Sequence, residues 1–278
     1  MQIGKFNLLQ VSRFTDHGAY LIDQEDNEVL LPNKYVEENL SIDDEVRVFI
    51  YRDSEDRLVA TTLVPLIELN GFSYLKIKDI SIYGAFADWG LEKDLLVPFK
   101  EQRARMNTGR YYLLSLQIDQ ATDRLFATTK TNKFLESCSE DYAPTDKVDL
   151  LICERTDIGQ KVIVDNRFGG IIYSSDLTRE LKPGQRIDGY VYKVREDGKL
   201  DVRLDPPGRE RIDASAEKLL SILEKRGRLN LTDKSHPEVI REAVGMSKKT
   251  FKQAVGSLYK QRLIELQQDQ IVYLGSKD

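Results

Sequence analysis

With 278 residues, 41% of them hydrophobic and 31% charged, the chain is too long for one small barrel and too apolar for intrinsic disorder, so roughly two to four modules are expected. No apolar run reaches membrane-spanning length, and Met1 to Gln10 lacks the basic and long apolar regions of a signal peptide, which points to the cytoplasm. The only cysteines, Cys138 and Cys153, flank a polar stretch and support neither a disulfide framework nor a thiolate metal site.

The net charge of −5 argues against a generic polyanion binder, but it is unevenly spread. Residues 1–62 hold 6 basic against 13 acidic side chains, 63–136 hold 10 against 9, 137–212 hold 13 against 15, and 213–278 hold 12 against 9. Phosphate affinity rests on local Lys and Arg, so the second and last segments are the candidates for it and the first would repel phosphate.

Taken in order, the chain repeats itself. Asp56-Arg57-Leu58-Val59-Ala60-Thr61-Thr62 recurs as Asp123-Arg124-Leu125-Phe126-Ala127-Thr128-Thr129, and Gly18-Ala19 matches Gly84-Ala85. A fainter third copy places Gly159 over Gly84, Ile172-Tyr173 over Val97-Pro98, and Lys199-Leu200 over Arg124-Leu125. Each copy reads as a long alternating strand, a glycine, a second strand, a turn, a short third strand and two further strands. In the second copy these fall at about Phe72–Ile80, Gly84–Asp88, Leu95–Pro98, Tyr111–Ile118 and Leu125–Thr128. Five short strands with a glycine at the first corner predict a closed five-stranded OB-fold barrel, whose second and third strands form the usual binding face. Asp119 and Asp123 read as the turn between the last two strands, not as ligands of a nuclease metal.

Leu63–Asn70, with Pro65, and Glu136–Thr145, with Pro144, read as linkers. Asp205-Pro206-Pro207-Gly208 is a stiff spacer that ends the third barrel. The period then changes to about 3.6. A helix is expected over Ala214–Lys225, capped by Asp213, followed by a short strand at Leu229–Leu231. A capping box at Ser235-His236-Pro237-Glu238 opens a second helix that stops at Gly245. Ser247 starts a third, and Leu263–Leu266 and Ile271–Leu274 form a hairpin. Helix, strand, helix, helix, hairpin is the winged-helix order. The expected modules are barrels over 1–64, 68–136 and 145–206 and a winged helix over 212–278, a multidomain, mainly β chain.

One stretch concentrates rings and cations. Tyr83, Phe86, Trp89 and Phe99 lie beside Lys93 and Lys100, a composition suited to unstacked bases, although strand alternation turns some of these rings inward. No glycine-rich phosphate loop is present, and His17 and His236 are isolated, so neither a paired-histidine metal site nor a nucleophile-base set is legible and no enzyme is expected. On the third late helix, Lys249, Lys252 and Lys260 share one side opposite Phe251 and Leu258, where a helix-turn-helix fold reads nucleic acid.

The Tyr83-Gly84-Ala85-Phe86 core and the closing Asp-Arg-Leu strand resemble S1-type RNA-binding domains. Three such barrels followed by a winged helix, with Asp88-Trp89-Gly90, Asp94-Leu95-Leu96-Val97-Pro98 and Glu101-Gln102 in the middle one, resemble the CvfB (conserved virulence factor B, YitL-like) family of bacterial RNA-binding proteins across essentially the whole chain. The resemblance implies a non-catalytic role in post-transcriptional regulation. It places the S1-type stacking columns on Tyr83 and Phe86, on His17 and Tyr20 in the first copy, and on Ile158 and Lys161 in the third, which has lost its aromatic pair. The third-strand column falls at Val97, where Phe99 lies close enough to substitute, and Arg57, Arg124 and Lys199 precede the last strands. The expected RNA-binding set is Tyr83, Phe86 and Phe99 for bases and Lys76, Lys78, Lys93 and Arg124 for phosphates, with His17 and Tyr20 as a second, more acidic site. Single-stranded RNA is the expected partner, with no cofactor. A DNA-binding regulator led by the winged helix and a protein-interaction scaffold are the alternatives.

Overall fold

The structure, a computed structural model, describes residues 1–139, 142–143, 146–177, 179–205 and 208–274. It forms two compact units, Met1–Leu135 and Glu136–Asp278.

The first unit holds two five-stranded sheets of one design. β1 (Phe6–Thr15), β2 (Gly18–Ile22), β3 (Glu28–Pro32), β4 (Glu45–Arg52) and β5 (Leu58–Thr61) close a barrel in the order β1-β2-β3-β5-β4. The closing rung is parallel, Leu30 against Val59. β6 (Phe72–Ile80), β7 (Gly84–Asp88), β8 (Leu95–Pro98), β9 (Tyr111–Asp119) and β10 (Arg124–Thr128) repeat the order, within a residue of the strands expected from the sequence. Here closure is incomplete: β8 and β10 are the two ends of the sheet, with no ladder between them. Asp119 makes the β9–β10 turn, its carboxylate accepting from the backbone of Ala121 and Thr122, while Asp123 takes a positive φ of 53°.

Two local devices recur at equivalent places. The first strand of every barrel carries a bulge, between Val11 and Arg13, Ile77 and Asp79, and Ile152 and Arg155, which bends it enough to pair with both neighbours. The second strand then starts at a glycine pressed onto the third. A Cβ at Gly18 would sit 2.0 Å from the Leu31 carbonyl oxygen, one at Gly84 2.3 Å from that of Val97, and one at Gly159 2.2 Å from that of Ile172. No side chain fits there. Alternation from this fixed corner turns Ala85 and Ala87 into the core and leaves Phe86 on the outer face.

The core of the first unit is shared between its two sheets. Trp89, just past β7, is 2% exposed and meets Phe49 and Tyr51 of β4 edge-to-face at 5.8 and 6.1 Å. Val59, Ile67, Leu91, Leu95 and Met106 pack into the same cluster.

In the second unit, β11 (Lys147–Thr156), β12 (Gly159–Val164), β13 (Phe168–Tyr173), β14 (Arg186–Val194) and β15 (Leu200–Arg203) close the third barrel in the order β11-β12-β13-β15-β14. Both cysteines are buried, and burial pushes the Cys153 thiol up to about 12. The winged helix follows as α1 (Gly208–Arg226), β16 (Arg228–Leu229), α2 (Pro237–Val244), α3 (Lys248–Lys260), β17 (Ile264–Leu266) and β18 (Ile271–Tyr273).

Two expected helix starts are corrected. α1 begins at Gly208, so Asp213 lies inside the helix and does not cap it; the Pro206-Pro207 spacer falls outside the described residues, as does Pro144. There is no capping box at Ser235: His236 is the N-cap of α2 with Pro237 at its first position, and the Ser235 hydroxyl accepts from the Thr232 amide instead. The start of α3 follows expectation, Ser247 accepting from the Thr250 amide at 3.2 Å. Among the described residues, no helix is long and apolar enough to cross a membrane.

The corner glycines give a direct test. Gly84→Ala is expected to lower the stability of the first unit by at least about 3 kcal/mol in urea unfolding, because backbone must move. Gly109, with a φ of 81°, has nothing within 4 Å of an added Cβ, so Gly109→Ala is expected to cost only about 1–2 kcal/mol.

Candidate nucleic-acid interface

A cleft of about 530 Å3 opens on the outer face of the middle sheet, over the β8–β10 seam. Phe86 of β7, Leu96 and Pro98 of β8, and Leu125 and Phe126 of β10 line it, together with Lys93, Lys100 and Arg124, the carboxylates Asp56, Asp94 and Asp119, and Tyr51, Arg52 and Ser54 of the first barrel. Phe86 stands directly across the ladder from Leu96. Among the described residues, no aromatic ring or cation lies over Phe86. Its outward turn follows from its place between buried Ala85 and Ala87. Tyr83 precedes β7 in the loop after β6 and is 69% exposed.

The other expected rings differ. Phe99 is not on β8 but opens the turn Phe99–Glu101 after it, half-buried, with the Arg105 guanidinium 4.5 Å above its ring; Val97, in the third-strand column, is buried in the core. Trp89 is interior, its Nε1–H donating to the Lys93 carbonyl at 2.6 Å. Phe126 went unnoticed in the sequence, yet the signal was there: it is the one position at which the seven-residue repeat changes, from Val59, and each lines the cleft of its own barrel.

The expected phosphate contacts are mostly engaged within the chain. Lys93 is half-buried and donates to the Asp53 carbonyl at 2.7 Å; desolvation holds its ammonium below the usual lysine range, opposed by Asp56 and Asp53. Arg124 grips Asp56 of the first barrel through two nitrogens, the shortest contact 2.7 Å, which raises the guanidinium and holds the carboxyl below its ordinary range. Lys78 lies 2.8 Å from Asp94, which raises its pKa. Lys76 is exposed between Asp88 and Tyr111 on the neighbouring strands.

The first barrel has its own cleft of about 730 Å3, lined by His17, Tyr20, Leu30, Tyr35, Arg57 and four carboxylates, Glu28, Asp53, Glu55 and Glu92. One face of Tyr20 is already covered by the Arg13 guanidinium at 4.0 Å, itself paired with Glu28, so this ring is less open to a base than Phe86. His17 is exposed. In the third barrel, Ile158 is exposed and Lys161 pairs with Glu154 at 2.5 Å. On α3, Lys249, Lys252 and Lys260 are exposed while Phe251 and Leu258 are buried, and Lys252 lies 3.5 Å from Asp233.

Residues 3–63 match the S1 domain family and residues 217–273 the CvfB-like winged helix domain family. The chain is 32% identical over 275 residues to YitL, an uncharacterized protein of Bacillus subtilis, covering 94% of this chain and 90% of that one. It is 28% identical over 244 residues to conserved virulence factor B of Staphylococcus haemolyticus, covering 84% and 81%. A solved multidomain protein with nucleic acid binding domains from Streptococcus pneumoniae is similar at 23% identity and a TM-score of 0.41, covering 98% of both chains.

Trp89 is the sole tryptophan and therefore reports on the junction between the first two barrels. Its emission is expected to be blue-shifted and shielded from iodide in the folded chain, and to lose both properties together with far-UV signal on unfolding; Trp89→Ala should cost about 3–5 kcal/mol. The Arg124–Asp56 pair has a defined pH sign. The Asp56 carboxyl is depressed in the fold, so its contribution is present above the unfolded carboxylate pKa and is lost as pH falls through the folded one. Asp56→Asn is expected to flatten that part of the acid unfolding curve.

Proposed function

This chain belongs to the CvfB and YitL-like family, and we propose that it is a non-catalytic RNA-binding protein of the bacterial cytoplasm, acting in post-transcriptional regulation. The S1 and winged-helix families matched at its two ends are nucleic-acid-binding domains rather than catalytic ones, so a nucleic-acid partner is the coarse reading. The finer one rests on the middle barrel.

The observation that carries it is Phe86: an outward ring with no ring or cation over it, on an apolar floor of Leu96 and Phe126, with Lys100 at the margin. A flat heterocycle gains roughly 1–3 kcal/mol by stacking on such a ring, whatever its identity, while a cation at the edge takes the adjoining phosphate. Base faces are free for stacking only where a base is unpaired, which favours single-stranded over duplex ligands. The acid-lined face of the first barrel works in the same direction, since the two phosphate rows of a duplex would meet more repulsion there than one strand does. Tyr83 is exposed at the loop before β7 and is the second stacking candidate.

The exposed lysine face of α3 favours a second, auxiliary contact on the winged helix. Were that helix the main reader, the chain would act as a DNA-binding regulator. Substitution separates the two. Phe86→Ala is expected to weaken binding of an unstructured oligoribonucleotide roughly 5- to 150-fold, and Tyr83→Ala to weaken it less. Replacing Lys249, Lys252 and Lys260 together by Gln should leave most of that affinity intact. Abolition of all nucleic-acid binding in the lysine variant, with full affinity kept in Phe86→Ala, would transfer the function to the winged helix.

A further inference from the structure

The cations around the middle cleft fall into two electrostatic groups. On the side facing the first barrel, Arg124 is held by Asp56 and Lys93 by the Asp53 carbonyl. A phosphate arriving there would have to break bonds the chain already makes. The segment that leaves β8 carries Lys100, Arg103 and Arg105, all exposed; Lys100 feels the Asp119 carboxylate, while among the described residues no carboxylate pairs with Arg103 or Arg105.

The backbone of this segment is pinned. Gln102 Nε2–H donates to the Val97 carbonyl at 2.8 Å, and the Arg103 amide donates to Thr129 Oγ1 at 2.7 Å. The Thr129 amide donates to the Glu101 carbonyl at 3.1 Å, and Met106 is buried in the shared core. Glu101, the one acid between β8 and β9, is occupied elsewhere: its carboxylate accepts from Thr128 Oγ1 at 3.0 Å and lies 4.0 Å from Lys130 Nζ. Lys130, whose ammonium has Glu101 as its ionic partner, also donates to the Lys100 carbonyl. The Arg105 guanidinium lies 4.5 Å over the Phe99 ring. Exposed cations carried within six residues of one another on a pinned backbone raise the local potential and attract a polyanion. Lys100 lines the cleft itself, so the ridge is continuous with the Phe86 floor.

We propose that a bound strand leaves the Phe86 cleft over this ridge, its phosphates lying on Lys100, Arg103 and Arg105 and not on the cations facing the first barrel. The proposal rests on the reading of the cleft as a single-stranded RNA site. It names a phosphate track, and with it a ligand longer than the cleft.

The test uses the full chain and fluorescein-labelled oligouridylates of about 6 and about 20 nucleotides, lengths either side of a single-barrel site, titrated over a range of salt. For the longer probe, Arg103→Gln with Arg105→Gln is expected to lower the slope of log K against log salt by about 1.4, near 0.7 for each phosphate no longer neutralised. Affinity for the shorter probe should fall less, and Arg103→Lys with Arg105→Lys should restore the slope. Arg105 packs on Phe99, so Arg103→Gln alone, expected to lower the slope by about 0.7, guards against a folding defect. Lys78→Gln should leave the slope unchanged. An unaltered slope in both glutamine variants, while Phe86→Ala still weakens binding, would overturn the ridge and leave the cleft standing. Unaltered binding in Phe86→Ala would remove the cleft, and the ridge with it.

Discussion

Each barrel turns on a contact that only glycine can make. Where the second strand begins, its backbone lies so close to the third that a Cβ would stand 2.0–2.3 Å from a carbonyl oxygen, at Gly18, Gly84 and Gly159 alike. The bulge in the preceding strand and this corner together let one long strand serve two neighbours. The corner also sets the phase of everything that follows. Counting from Gly84 with a period of two, Ala85 and Ala87 must be interior and Phe86 exterior. The orientation of the candidate stacking ring is thus a consequence of a steric contact two residues away.

On that common scaffold the copies diverge in what faces outward. The middle barrel leaves Phe86 uncovered and gains Phe126 where the first has Val59. The first barrel covers Tyr20 with Arg13 and surrounds its cleft with carboxylates. The third places Lys161 against Glu154. Interior positions are constrained by packing in all three, so difference accumulates on the outer face, which packing leaves free.

The first two barrels are also joined by more than a linker. Trp89 lies between them against Phe49 and Tyr51, and the Asp53–Arg57 turn of the first reaches Lys93 and Arg124 of the second. An aromatic and two cations that would serve a free-standing barrel as ligand contacts are here drawn into the junction. That junction satisfies the cleft cations nearest the first barrel and leaves Arg103 and Arg105 without a carboxylate partner among the described residues.

Much of the fold was legible in the sequence because it depends on local periodicity and on repetition. The second-copy strands, the corner glycines, the Gly245 stop and the Ser247 cap follow from alternation, from glycine's freedom and from capping chemistry, all of which act within a few residues. The helix starts at Gly208 and His236 differ from expectation where several cap-competent residues compete. Of the candidate site, Phe86 and Tyr83 could be named from their columns. What no local rule supplies is the company a side chain keeps across long sequence separations: Trp89 with Phe49, Arg124 with Asp56, Lys100 with Lys130. Whether a ring is a ligand face or a core wedge, and whether a cation is free or satisfied, is settled by those distant partners, because desolvation and charge pairing depend on proximity in space and not along the chain.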